Sequence, residues 1–349
     1  MMKILCIITR MGSGGAERQM AGLSEMLSEA GHDVRVRWFQ GHDFYDLRGG
    51  RKIAAKSRAF KFVRFLLSVI VCRPDVVIAY LDRASRIACR VKNLLPPSLR
   101  YRLIVSERNT TTALDGQELE KFRLYEAADV VVANSQTQGA FIREHFPALA
   151  PKVKVITNFV DLEHFNLVPS PSGDDLRLLT IARVTPQKNT LEYIRAVKLT
   201  ADRGCKVVAD WYGYPMDPAY AAACSALVKE LGIEDSFRFH PAEKDVRPLY
   251  VSADAFVLPS VYEGFPNVLG EAAACSLPII CTDVSDNGRF VGAGNGLLCA
   301  PSAESIADAI CRLGSMSRQE RLAMGALGRG FAEQSLSRRQ FIEEYGSIL

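Results

Sequence analysis

Several signals that would assign this chain at once are missing from its 349 residues. No two of its nine cysteines are spaced Cys-x-x-Cys, and most lie inside apolar runs. That argues against zinc or a disulfide framework and for buried free thiols in a reducing compartment. No stretch approaches about 18 uninterrupted apolar residues, so no transmembrane helix is expected. Met1–Thr9 carries one lysine and a very short apolar run before Arg10, and reads as a first strand rather than a leader. The net charge of +4 is too small to argue for nucleic acid. After that strand, Gly12-Ser13-Gly14-Gly15-Ala16-Glu17-Arg18 has Glu17 where a dinucleotide fingerprint wants its third glycine. No Gly-Lys-Ser/Thr ending follows either, so the triphosphate loop is excluded as well. The expectation is a cytoplasmic protein, with contact to a membrane only as a peripheral protein on the cytoplasmic face of the inner membrane.

What is present is a regular alternation. Hydrophobic content of 48% with 23% charged residues is globular, and the length suits two domains. Short β-rich runs at about Lys3–Thr9, Asp33–Trp38, Asp75–Ala79, Arg102–Ser106, Asp129–Ala133 and Lys152–Ile156 are separated by helical stretches near Ala16–Ala30, Ala54–Cys72, Leu119–Ala127 and Gln136–Phe146. The pattern restarts with Leu176–Ile181, Lys206–Tyr212, Ser236–Phe239, Ala255–Leu258 and Ile279–Thr282. Such alternation predicts parallel sheets covered by helices, an α/β fold of two doubly wound Rossmann-like domains with strand C-terminal ends on a central cleft. The Pro/Ser/Gly-rich segment Asn166–Asp175 reads as the linker, which puts domains at 1–168 and 169–349.

The most informative stretch is Pro259-Ser-Val-Tyr-Glu263-Gly264-Phe265-Pro266-Asn267-Val268-Leu269-Gly-Glu271. It leaves a buried-looking strand, turns tightly and opens a helix near Asn267–Cys275. A helix start offers backbone N–H groups without intrahelical partners, which attract phosphate or sugar oxygens. Ionised carboxylates only accept, so Glu263 and Glu271 suit sugar hydroxyls better than phosphate. Read on its own, the run could also be an ordinary βα unit, with Glu263 facing a helix dipole and Glu271 solvated.

Glu-Gly-Phe-Pro-Asn, with a second Glu eight positions after the first and the continuation Ala-Ala-Ala-Cys-Ser-Leu-Pro-Ile-Ile-Cys-Thr-Asp283, resembles the signature of retaining nucleotide-sugar glycosyltransferases of the GT-B fold. The resemblance implies a first, acceptor-side domain and a second, donor-binding one, with a last helix near Arg338–Ile348 packing back on the first. Ala182-Arg183-Val-Thr-Pro-Gln-Lys188 is similar to the family's Gly-Arg followed five positions later by Lys, with Ala182 in place of Gly. Arg and Lys at a strand's end can neutralise a diphosphate, as a fork and as a point charge. Metal-dependent glycosyltransferases use Asp-x-Asp with a divalent ion instead; that motif is absent here, so no metal and no cofactor is expected.

The remaining roles follow from the same resemblance. Glu263 would hold the donor sugar, Glu271 the ribose hydroxyls, and the backbone of Gly264, Phe265, Pro266, Asn267, Val268 and Leu269 the sugar and diphosphate. Gly14 and Gly15 would face the diphosphate, and Gly213 would border the base with Ala242, Pro241 standing where the family has glycine. Many relatives place a His after the fourth strand; here the run is Ser106-Glu107-Arg108-Asn109, and none of the five His lies there. Glu17, Arg18, Glu107 and Arg108 are therefore the acceptor-side candidates, with Tyr80 and Asp82 behind them. A salt-bridged turn is the plain alternative for Glu107 and Arg108.

From Arg48 to Arg73 run eight cations without an acid, namely Arg48, Arg51, Lys52, Lys56, Arg58, Lys61, Arg64 and Arg73, interleaved with Phe60, Phe62, Phe65, Leu66, Leu67 and Ile70. A basic amphipathic helix of this kind can lie on anionic lipid. The alternative is a sheet-covering helix with a basic outer face. The expectation is a retaining transferase moving a hexose or N-acetylhexosamine from a nucleotide-diphosphate sugar, UDP favoured, to a hydroxyl of a glycan or lipid-linked acceptor. A nucleotide-sugar epimerase of the same fold, or a non-catalytic membrane-surface module, are the alternatives; nucleic acid is not an expected partner.

Overall fold

The computed structural model describes the chain apart from residues 13, 42–44, 46, 48, 54–56, 112, 172–174 and 293, and the side chain of Arg58. Ser13 of the first turn, Arg48 and Lys56 of the basic stretch and Ser172–Asp174 of the expected linker thus lie outside the described residues. The chain divides into two units, Met1–Asn158 with Arg338–Leu349, and Phe159–Ser337. The division falls at Asn158/Phe159 rather than at 168/169. The reason is packing: Val160 and Phe165 are buried in the second unit's core, and Val160 N–H donates to the Leu336 carbonyl at 2.8 Å.

The first domain runs β1 Lys3–Arg10, α1 Gly15–Glu29, β2 Asp33–Gln40, β3 Arg51–Lys52, α2 Arg58–Cys72, β4 Val76–Tyr80, α3 Asp82–Leu94, β5 Arg102–Glu107, α4 Gly116–Tyr125, β6 Val130–Ala133, α5 Gln136–His145 and β7 Val153–Val155. The second runs β8 Leu176–Ile181, α6 Thr190–Asp202, β9 Val207–Tyr212, α7 Pro218–Glu230, β10 Phe237–His240, α8 Arg247–Val251, β11 Ala255–Leu258, α9 Asn267–Ala274, β12 Ile279–Thr282, α10 Asn287–Val291, β13 Gly296–Cys299, α11 Ala303–Gly314 and α12 Arg318–Ser335. The last helix, α13 Arg338–Gly346, belongs to the first domain. Its Tyr345 hydroxyl meets that of Tyr80 at 2.7 Å, and Arg338 pairs with Glu25 of α1 at 3.1 Å.

Among the described residues the first sheet is seven-stranded, in the order β3-β2-β1-β4-β5-β6-β7, and the second six-stranded, β10-β9-β8-β11-β12-β13, with every pairing parallel. Both are Rossmann-like, doubly wound sheets. Strands buried on both faces need apolar residues at every position. In β11, Val257 enters one core with Trp211 and Ile310, while Phe256 and Leu258 enter the opposite one with Leu269 and Leu277.

The sequence reading passed over α3, β13 and the two-residue β3, and in the second domain it left out α7, α8, α10, α11 and α12. The buried face of α3 is built of the small or interrupted residues Ala84, Ser85, Ile87, Ala88, Cys89 and Val91, a weak apolar signal between arginines. Helix α2 begins at Arg58, capped by the Ser57 side chain accepting from Phe60 N–H at 3.2 Å. Its outer face mixes apolar residues with cations. Lys61 is buried, 6.0 Å from the Phe39 ring centroid, while Phe60, Val63, Leu67, Ile70 and Val71 are exposed beside Arg64 and Arg73. No helix among the described residues is long and apolar enough to cross a membrane.

Candidate functional site

In a doubly wound sheet, ligands bind outside the strand C-termini where the strand order reverses. The second sheet reverses between β8 and β11. The loops that leave those two strands are Ala182–Asn189 and Pro259–Pro266, the two segments with the most pointed chemistry in the sequence. They are tied by backbone: Val261 N–H donates to the Gln187 carbonyl at 2.8 Å, and Gln187 Nε2 donates to the Tyr262 carbonyl at 3.1 Å. Asn189, at φ 58 and ψ 35, makes the left-handed turn into α6, a conformation asparagine tolerates better than most residues.

That stitching brings Lys188 Nζ onto Glu263 Oε1 as a buried ion pair. Ser260, fully buried, donates its Oγ–H to the same oxygen at 2.6 Å. Thr282 Oγ donates to the Ser260 carbonyl at 2.5 Å, and Glu263 N–H donates to Ser285 Oγ at 3.3 Å. The carboxylate is therefore oriented before any ligand arrives. Arg183 lies half-buried in the same loop, with no ion pair among the described residues.

Glu271 stands apart from that trio. It is 2% exposed and accepts from the Tyr250 hydroxyl at 2.9 Å. In α9, Pro266 at the N-cap supplies no side-chain cap, and Leu269 N–H reaches back to its carbonyl at 3.2 Å. Phe265 packs on Phe290 with centroids 4.7 Å apart, which buries Phe265, Pro266 and Leu269 while Gly264, Asn267 and Val268 stay partly accessible. The helix is made of small residues because it packs closely: a Cβ on Gly270 would lie 2.7 Å from a Val160 methyl and 3.1 Å from Leu336. Gly213 follows β9 against the Ala182 carbonyl, where any side chain would overlap backbone. Pro241 and Ala242 are exposed in the loop after β10.

The first sheet reverses between β1 and β4. There Gly14 is the N-cap of α1 and Gly15 its first residue. Glu17 is buried and curls back, accepting from Arg10 Nε at 2.9 Å and lying against Gly14, while Arg18 is half-buried. Tyr80 ends β4 fully buried; Asp82 pairs with Arg86 at 2.5 Å. Past β5, Glu107 and Arg108 diverge. Glu107 is ion-paired to Lys121 at 3.0 Å and accepts from the Tyr125 hydroxyl at 3.4 Å; burial raises its carboxyl above the usual range. Arg108 lies instead over the Tyr80 ring, its guanidinium carbon 4.2 Å from the centroid, and donates Nη2–H to the Tyr80 hydroxyl at 2.8 Å.

Sequence reasoning gave no role to Ser260, Thr282 or Tyr250. Ser260 sits three residues before Glu263 within one turn, a spacing at which its hydroxyl reaches the carboxylate, so a signal existed. Tyr250 and Thr282 come from other segments and carried none.

Residues 175–315 match the family model described as Glycosyl transferases group 1, and residues 13–164 the one described as Glycosyltransferase Family 4. The chain is similar, at 26% identity over 83% of each sequence, to the N-acetylgalactosamine-N,N'-diacetylbacillosaminyl-diphospho-undecaprenol 4-alpha-N-acetylgalactosaminyltransferase of Campylobacter jejuni. It is 26% identical to the amylovoran biosynthesis glycosyltransferase AmsD of Erwinia amylovora over 81% of each. Among solved structures, HepE of Anabaena in complex with UDP superposes with a TM-score of 0.85 at 20% identity, over 99% of both chains, which identifies the fold as that of the GT-B glycosyltransferases.

Proposed function

This chain belongs to the glycosyltransferases that those two family models describe between them, and from that premise we propose a retaining, metal-independent enzyme that uses a UDP-sugar and a lipid-linked or polysaccharide acceptor. The observation that carries the reading is the buried Lys188–Glu263–Ser260 cluster at the strand reversal of the second sheet, with Arg183 in the same loop. In the transfer, the acceptor oxygen bonds to the anomeric carbon as that carbon's bond to the diphosphate breaks. The acceptor proton passes to the departing diphosphate oxygen. Charge grows on that diphosphate, and Arg183 and Lys188 are the groups to meet it, with the positive end of the α9 dipole as a further contribution. Glu263, already bonded to Lys188 and Ser260, is a positioning group for sugar hydroxyls rather than a nucleophile. Glu271 would exchange its Tyr250 partner for, or share it with, the ribose.

UDP is favoured by its presence in a structure of the same fold, and a lipid-linked acceptor by the diphospho-undecaprenol in one relative's name. The exposed apolar residues of α2, flanked by Arg64 and Arg73, supply a face for anionic lipid. That use of α2 fits a cytoplasmic enzyme at the inner face of a membrane.

The test is incubation with a panel of nucleotide sugars while free nucleotide diphosphate is measured. One sugar should give slow hydrolysis without acceptor, and Arg183→Ala or Lys188→Ala should abolish it. Release from no sugar, or release unaffected by either substitution, refutes the assignment. Release that instead accompanies inversion of a sugar centre without transfer would favour the epimerase.

A further inference from the structure

Arg108 is 7% exposed, and among the described residues its side chain has no carboxylate partner. The neighbouring acid, Glu107, is taken by Lys121. Of the guanidinium's five N–H donors, one meets the Tyr80 hydroxyl; Nε and Nη1 are buried without an acceptor among the described residues. Tyr80 does not serve as the counter-charge: burial pushes its phenol well above the ordinary value, so it stays protonated, and its oxygen is shared with the Tyr345 hydroxyl. A buried cation left in this state is costly, since both its charge and its donors go unmet. An aliphatic side chain would fill the space without that cost.

Its place in the fold adds a second, independent pointer. Tyr80 ends β4, one of the two strands between which the first sheet reverses, and Arg108 follows β5 alongside it, with Tyr80 and Ser106 paired across the two strands. This is where doubly wound sheets take ligands. The guanidinium also lies over one ring, 4.2 Å from its centroid, whose hydroxyl is bonded to Tyr345 of α13.

We infer that Arg108 is a preorganised receptor for a two-oxygen anion, a phosphate or carboxylate gripped by the free Nε and Nη1 donors. The grip on an anion stands whatever reaction the chain performs. Assigning that anion to the acceptor, as a phosphate or acid group it carries, rests on the transferase reading above.

The experiment uses the full chain with Arg183 and Lys188 both changed to Ala, so that the donor-site cations are silent, and inorganic pyrophosphate as probe at constant ionic strength. Pyrophosphate should still raise the melting temperature of this double variant. Adding Arg108→Gln should weaken binding by about ten-fold or more. Should Arg108→Gln fail to fold, Arg108→Lys keeps the charge but not the fork, and a clear loss of affinity is still expected. No pyrophosphate effect in the double variant, or an effect indifferent to Arg108, means that buried water satisfies the guanidinium, and overturns the inference. Repeating the titration on wild-type chain saturated with UDP separates the sources. Persistent pyrophosphate binding that Arg108→Lys weakens assigns the anion to the acceptor, whereas displacement by UDP refutes that assignment and gives it to the donor. Neither result depends on observing turnover.

Discussion

Each domain carries a buried cation beside the reversal of its sheet, and the two are kept in different ways. In the second domain Lys188 is matched by a carboxylate, and the carboxylate by a serine hydroxyl. In the first, Arg108 rests on a neutral ring and phenol, with two nitrogens unmet among the described residues. A paired cation is stable without ligand and must be re-partnered when one arrives. An unmatched one is incomplete until something anionic reaches it. Burial alone therefore does not tell a structural ion pair from a waiting site; the inventory of partners does.

Breaking the pair in the second domain should have the largest effect. Lys188→Ala strands Glu263 in a buried place, and we expect a loss of about 3 kcal/mol in thermal or urea unfolding. Turnover should fall about 100-fold or more in a nucleotide-release assay. Adding Glu263→Gln should restore much of the stability and none of the turnover, which separates the two consequences.

The exposed apolar face of α2 in the first domain offers a different break. Phe60 and Leu67 of α2 are 62% and 53% exposed, so Phe60→Asp with Leu67→Asp should leave the melting temperature nearly unchanged. Co-sedimentation with anionic vesicles should drop about ten-fold or more as apolar contact is lost and like charge is added. Equal sedimentation of variant and parent would remove α2 from the membrane proposal.

Ser260→Ala sharpens the comparison from within the cluster. It deletes the hydroxyl that fixes Glu263, so turnover should drop about ten-fold while the Lys188 pair persists. In the first domain, Tyr345→Phe takes away the hydroxyl that anchors Tyr80, and unfolding should become easier by about 1 kcal/mol. An effect as large as that of Lys188→Ala would mean that the phenols, not a ligand, are what Arg108 serves.

The smallest effect expected is one the domains share. Burial pushes the thiols of Cys6 and Cys89 in one, and Cys275 and Cys299 in the other, up to about 12. The native state thus holds protons that the unfolded chain would release near pH 9. Their contribution to stability is complete below that value and fades between about pH 9 and 12, a decline that melting curves across that range would follow. At pH 8 an alkylating reagent should reach the half-exposed Cys72, Cys205 and Cys311 well before the six buried thiols.

The alternation of apolar runs with helical periods was enough to predict parallel sheets, because strands buried on both faces leave a dense local signal. The motif stretch from Pro259 to Glu271 was legible for the same local reason: strand, turn and helix start are contiguous, so their chemistry can be read in order. Helix α3 was not legible, since small residues carry little hydrophobic contrast. How the cations of α2 divide between its faces was not legible, because a run of cations does not say which of them turns inward, and Lys61 does. The linker expected at 166–175 and the division of the compact units at Asn158/Phe159 differ because Pro and Ser mark a break in regular structure, whereas Val160 and Phe165 pack in the second unit's core.

The amino-acid order by itself determined most of the strands and which segments carry the helix starts, turns and charges, since these are properties of neighbours along the chain. Only the tertiary structure decided which charges are already spent. Lys188 is joined to an acid 75 residues away, and Tyr80 to a phenol 265 residues away. Pairings across such separations depend on how strands are ordered in a sheet and where the last helix returns, and no local pattern encodes them.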